Sequence, residues 1–149
     1  MTTTDTKSQQ ALQIGQALLE AFNDADWPRF RERLAPDVVY EETGTGRRLE
    51  GAEAYMAALA GWKRAIPDAR CTIRQSIASG DTAMFELVWE GIHSGPLESP
   101  GGAIPASGKQ IYVQAAFAST VQGDKVTSVR HYLDVLTLLQ QIGAMPAPG

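Results

Sequence analysis

At 149 residues the chain is the size of one domain, long enough to bury a core without disulfides or structural metals. Hydrophobic residues make up 44% and charged residues 20%, with a net charge of −4, which excludes a disordered chain and argues against nucleic acid as a partner. There is no apolar run of membrane-spanning length, no signal-peptide core and a single cysteine, Cys71, so a soluble cytoplasmic protein without internal disulfides is expected.

The chain divides into elements by its apolar period. Residues 1–7 are polar and are expected as a tail, as are residues 144–149. Ala11, Ile14, Leu18 and Phe22 mark one face of a helix from about Ser8 to Asn23. Asp26 has the chemistry of an N-cap for a second, short helix with Trp27 and Pro28 in its first turn, which Pro36 should stop. Val38 to Thr43 reads as a strand, turned by Gly44 to Gly46, with Arg47 to Glu50 as a short return. Of its two acids, Glu41 is taken as the one that faces inward. Gly51 to Ile66 is a helix with the stripe Tyr55, Leu59, Trp62 and Ile66.

From there the pattern is almost all strand. Arg70 to Ser79 and Thr82 to His93 are joined by Gly80-Asp81, a tight turn. On the second of these, Phe85, Leu87, Trp89, Gly91 and His93 share an acid-free face expected to point inward. Glu86 and Glu90 lie on the other. Ser94 to Gly108 is a Gly-, Pro- and Ser-rich loop, long enough to be expected at a pocket mouth. Lys109 to Gln122 and Lys125 to Leu133 are strands separated by Gly123-Asp124, and Val135, Leu138, Leu139 and Ile142 begin a last helix that Gly143 ends. No repeat or linker marks a second domain, so residues 1–149 are one unit.

Helices, then antiparallel hairpins, then a closing helix make an α+β fold. A long curved sheet with helices on its concave side leaves a cone, and an apolar cone with a few polar groups is a small-molecule site. The histidines, His93 and His131, have no Cys or His at ligand spacing, and there is no nucleophile elbow, P-loop or dinucleotide fingerprint. The available chemistry is carboxylate, imidazole, phenol and amide, which suits cofactor-free proton transfer. Asp134, where the last strand meets the last helix, is either an N-cap or a carboxylate at the pocket rim.

Four passages carry a family resemblance: AFNDADWPRFRERLAPDVVYEE, IPDARCTIRQSIASGDTAMFELVWEGIHSG, IPASGKQIYV and YLDVLTLLQQIGAMP. The chain resembles the SnoaL-like polyketide cyclases and ester cyclases, in the nuclear transport factor two-like superfamily. The GIHSG and ASGK pieces resemble GTHTG and PTGK of the ester-cyclase relatives. The resemblance implies a cone-shaped α+β barrel with a curved antiparallel or mixed sheet and the N-terminal helices on its concave face. It implies an aldol-type ring closure of a polyketide ester, without cofactor or metal, with Asp134 as general acid/base. His93, a candidate catalytic residue, is either a structural histidine that hydrogen-bonds the backbone of the following loop or a polar partner for Asp134 or the substrate carbonyl.

Gln114, Tyr132 and Arg130 are the expected polar contacts of the substrate, and Tyr40, Trp62, Phe85, Trp89 and Phe117 the expected aromatic wall. The chain departs from the family in having Gln114 but no histidine on the penultimate strand. Arg130 shares a face with Asp134 by alternation, and either points away because the strand twists or binds an anionic substrate group there. The competing readings are an isomerase, dehydratase or epoxide hydrolase on the same cone, a non-catalytic binder of a hydrophobic small molecule, and an interaction module using the outer sheet face. A homodimer is expected; nucleic acid and membrane partners are not.

Overall fold

The stripe Ala11, Ile14, Leu18, Ala21 and Phe22 buries one side of α1 (Thr3–Asn23) almost completely. The computed structural model describes residues 3–99 and 101–146. The helix begins well before the expected Ser8. Its early turns are tied to two hairpin turns: Ser8 Oγ accepts from the Gly80 N–H (3.1 Å), and Gln10 Nε2 donates to the Gly123 carbonyl (3.2 Å). Residues 3–7 are therefore helical rather than a tail; residues 1–2 and 147–149 lie outside the described residues. At its other end Asn23 pairs with the edge of the sheet, donating to the Cys71 carbonyl and accepting from the Cys71 N–H, as a neighbouring strand would.

Asp26 caps α2 (Trp27–Glu32) by accepting from the Arg29 N–H (3.2 Å). The helix ends at Glu32, not at Pro36, because Leu34 already pairs with Val126 and starts a strand. The remaining elements are β1 (Leu34–Glu42), β2 (Arg47–Glu50), α3 (Ala52–Ala65), β3 (Arg70–Ser79), β4 (Thr82–Ile92), β5 (Gln110–Gln122), β6 (Lys125–Leu133) and α4 (Val135–Gln141). Their order in the sheet is β2-β1-β6-β5-β4-β3. Only the β1–β6 pairing is parallel, and the two outer strands do not meet, so the sheet is mixed, curved and unclosed. This is the expected α+β cone, with α1 packed across the inner face of β3 to β6.

The outer face is less polar than the sequence reading held. Besides Glu86 and Glu90 it exposes Ile77, Met84, Tyr112 and Tyr132.

The Gly91-Ile92-His93-Ser94-Gly95 passage fastens the C-terminus of α3. The Ser94 and Gly95 N–H groups both donate to the Ala65 carbonyl, and a Cβ on Gly95 would stand 2.0 Å from the Arg64 carbonyl oxygen. The following loop is itself folded, closed by a bridge between Leu97 and Ile104, with Leu97 buried.

These contacts predict opposite signs for two similar substitutions. Gly95→Ala should destabilise by about 1–3 kcal/mol, because backbone cannot move aside as a flexible side chain does. Gly61→Ala, inside α3 with only the Arg64 guanidinium at 3.7 Å, should stabilise by roughly 0.5–1 kcal/mol. Urea unfolding of the two variants beside the wild type measures both.

Candidate functional site

Inside the cone is a cavity that opens to solvent. The helices contribute Leu19, Phe22, Phe30, Tyr55, Leu59, Trp62 and Leu138, and Ile66 joins them from the C-cap of α3. The strands contribute Tyr40, Trp89, Ile111, Val113, Phe117, His131 and Leu133. The wall is aromatic and aliphatic almost throughout, and its Tyr40, Trp62, Trp89 and His131 are drawn into one chain of hydrogen bonds.

That chain starts at Glu42, fully buried at the end of β1. Its Oε2 accepts from Tyr40 Oη at 2.5 Å and from Trp62 Nε1 at 3.3 Å, and its Oε1 accepts from Thr45 Oγ1 at 2.8 Å. Tyr40 Oη also meets His131 Nδ1 at 3.1 Å, and the Trp89 indole donates to His131 Nε2 at 3.1 Å. An indole N–H only donates, so Nε2 is the acceptor and the imidazole proton sits on Nδ1. The direction is then fixed: Trp89 to His131, His131 to Tyr40, Tyr40 to Glu42. Burial pushes the His131 imidazole down to about 4, against the opposing pull of the Glu42 charge, so at neutral pH the ring is uncharged. Burial, and then the Glu42 charge, hold the Tyr40 hydroxyl well above its usual range.

Strand pairing explains the meeting. In the parallel β1–β6 ladder Tyr40 stands opposite Val129 and Glu42 opposite His131. Val38, Tyr40 and Glu42 alternate inward, which leaves Glu41 on the outer side and corrects the expectation that Glu41 was the inward acid. On β6 the inward set after Val126 is Val129, His131 and Leu133. Pairing with β5 shifts register between Thr120 and Val121, so the phase of β6 changes between Val126 and Val129.

The phase change relocates several expected site residues. Arg130, Tyr132 and Asp134 fall on the outer side, with Tyr132 43% exposed. Asp134 is exposed and absent from the cavity wall. It is the N-cap of α4, accepting from the Thr137 N–H (3.1 Å) and the Thr137 hydroxyl (2.7 Å). Gln114 is also exposed, on the outer face of β5.

His93 is buried but holds the loop rather than the cavity: its Nδ1 accepts from the Ser107 N–H and also meets Ser107 Oγ at 2.9 Å. None of the described residues between 94 and 108 lines the cavity, which corrects the expectation that this loop sits at the pocket mouth. Tyr40, Trp62, Trp89 and Phe117 do line it. Phe85 lies outside the lining, buried against α1 where Gly15 leaves room for its ring. Glu42 and His131, which sequence reasoning missed, are the centre of the arrangement. Among the described residues no three His, Cys, Asp or Glu gather as a metal site.

The His131 environment sets a stability dependence. The folded ring takes a proton only near pH 4, the unfolded ring near 6.5, so stability present at neutral pH is lost as pH falls between those values. Comparing pH 7 with pH 4.5 by urea unfolding, the wild type should lose about 2 to 3 kcal/mol more than His131→Gln. The burial-lowered His93 contributes alike to both proteins and cancels in the difference. Equal losses would remove His131 as the source.

A family model described as SnoaL-like polyketide cyclase matches residues 12–142. A candidate SnoaL-like polyketide cyclase from Jannaschia sp. CCS1 superposes with a TM-score of 0.83 at 20% identity, over 93% of this chain and 95% of its own. IdmH, a candidate polyketide cyclase from Streptomyces antibioticus, is 26% identical with a TM-score of 0.76, over 90% of this chain and 99% of its own. An LEH-like epoxide hydrolase of M. tuberculosis shares the fold at 20% identity and a TM-score of 0.70, over 92% of this chain and 95% of its own. No curated protein sequence gives a significant match.

Proposed function

The chain belongs to the SnoaL-like polyketide cyclase family, and from that premise we propose that it is a cofactor-free proton-transfer enzyme closing a ring in a hydrophobic polyketide-like ester by an intramolecular aldol reaction. The observation that supports this reading is the buried Glu42 carboxylate, bonded through Tyr40 to the wall of an aromatic cavity. A carboxylate one hydrogen bond behind a wall tyrosine can take up a proton delivered through Tyr40, which a pocket that only holds an apolar molecule does not need.

In this reading the acid/base is Glu42, not Asp134. The substrate's activated α-proton passes to Tyr40 Oη as the tyrosine's own proton crosses to Glu42. Burial disfavours a free Tyr40 phenolate, so the two transfers occur together. His131 Nδ1–H stays on the tyrosine oxygen and steadies it. The enolate carbon attacks the second carbonyl carbon, a C–C bond forms, and the new alkoxide takes the proton back along the same path. Conjugated carbonyls hold the enolate charge meanwhile.

Offered an aromatic polyketide ester with a reactive side-chain carbonyl, the wild type should give a cyclised product of unchanged mass. Glu42→Gln and Tyr40→Phe should each lower kcat about 10²-fold or more while remaining folded by circular dichroism. Asp134→Ala should cost about 1 kcal/mol of stability as a lost cap and leave kcat unchanged. Wild-type turnover in a folded Glu42→Gln variant would sink the relay, and loss of turnover in Asp134→Ala would return the role to that residue.

A further inference from the structure

We propose that Tyr55 is the cavity's oxygen-binding donor: its hydroxyl receives the carbonyl or enolate oxygen of a flat, otherwise apolar ligand. This deepens the proton-transfer reading and rests on it for the identity of the oxygen, though its geometry stands independently.

The polar groups of the wall are otherwise engaged with one another. Tyr40, His131, Trp62 and Trp89 each spend their hydrogen bonds within the chain that ends at Glu42. Tyr55 lines the same cavity, is 1% exposed, and its hydroxyl has no hydrogen-bond partner among the described residues. Among the described residues the buried side-chain atoms left sealed and unpaired are His93 Nε2 and Ser119 Oγ; Tyr55 Oη is not one of them, and Tyr55 lines the cavity. Buried hydroxyls ordinarily find a partner. One with none, on a residue of an apolar cavity wall, is available to a partner that arrives with the ligand.

The ring is held in place for this task. It stacks on Tyr40 with centroids 4.4 Å apart and planes 16° from parallel, and it meets Phe30 edge-on at 5.4 Å. Burial first, and then the Glu42 charge, raise the Tyr55 hydroxyl far above its ordinary range, so it stays a protonated donor at every working pH. A donor fixed beside the proton relay is placed to meet charge as it develops on a substrate oxygen. The surrounding aromatic wall selects the rest of the molecule: planar, neutral and conjugated, with the oxygen at one end.

The test uses two probes differing by that oxygen, 2-naphthol and naphthalene, titrated calorimetrically into the full chain. The wild type should bind 2-naphthol more tightly than naphthalene. Tyr55→Phe, which keeps the ring and its stacking, should weaken 2-naphthol about five- to tenfold and change naphthalene less than twofold. Glu42→Gln should keep the preference for 2-naphthol. A relay that fails in turnover assays thus leaves this result standing, and the two ideas fall separately. No wild-type preference for 2-naphthol, or an equal change in both probes on Tyr55→Phe, would overturn the proposal.

Discussion

A carboxylate removed from water must be met by donors on all sides, and in this protein that requirement falls on Glu42. Its three donors come from three places in the chain: Tyr40 two residues away on β1, Thr45 in the following turn, and Trp62 on α3. Behind Tyr40 stand His131 on β6 and Trp89 on β4. One acid thereby fixes the relative placement of three strands, a turn and a helix around an otherwise greasy cavity. Hydrogen bonds to a charged group are worth about 1.5–3 kcal/mol each, and removing the acceptor strands its donors. The same network orients the imidazole tautomer, fixes the Tyr40 hydroxyl and leaves Tyr55 as the free polar group of the wall.

Most of the fold was legible in the sequence because its signals are local. Gly80-Asp81 and Gly123-Asp124 set the hairpins, so β3 and β6 begin and end where the pattern puts them. Asp26 caps α2 as its chemistry requires, and Gly143 adopts the positive φ of a helix end. The site was harder to read because it depends on phase. Strict alternation from Val126 carries Arg130, Tyr132 and Asp134 inward. A register shift in the β5–β6 ladder, which nothing in the local sequence announces, turns His131 inward instead. Glu42 was within reach: once Tyr40 is assigned to the pocket wall, alternation places Glu42, not Glu41, on the same face.

The GIHSG passage shows how a recognisable motif can be structural. Its backbone N–H groups satisfy the end of α3 at Ala65, its second glycine lets the chain pass against Arg64, and its histidine ties down Ser107. Those are demands of joining a strand to a helix and to a long loop, and they hold whatever occupies the cavity. Asp134 is similar, since its carboxylate is absorbed by the first turn of α4.

The lone parallel pairing in the sheet, β1 beside β6, has a consequence for how the protein is made. Tyr40 and His131 are 91 residues apart in sequence, and β1 cannot find its neighbour until β6 has been synthesised. Before β6 is in place β1 pairs only with β2, whereas β3, β4 and β5 pair with one another in antiparallel fashion without it. The acid loses its water only when the last strand arrives and the cone closes. A chain that ends before that strand lacks the His131 link, so the hydrogen-bonded network around Glu42 is among the last things the folding chain completes.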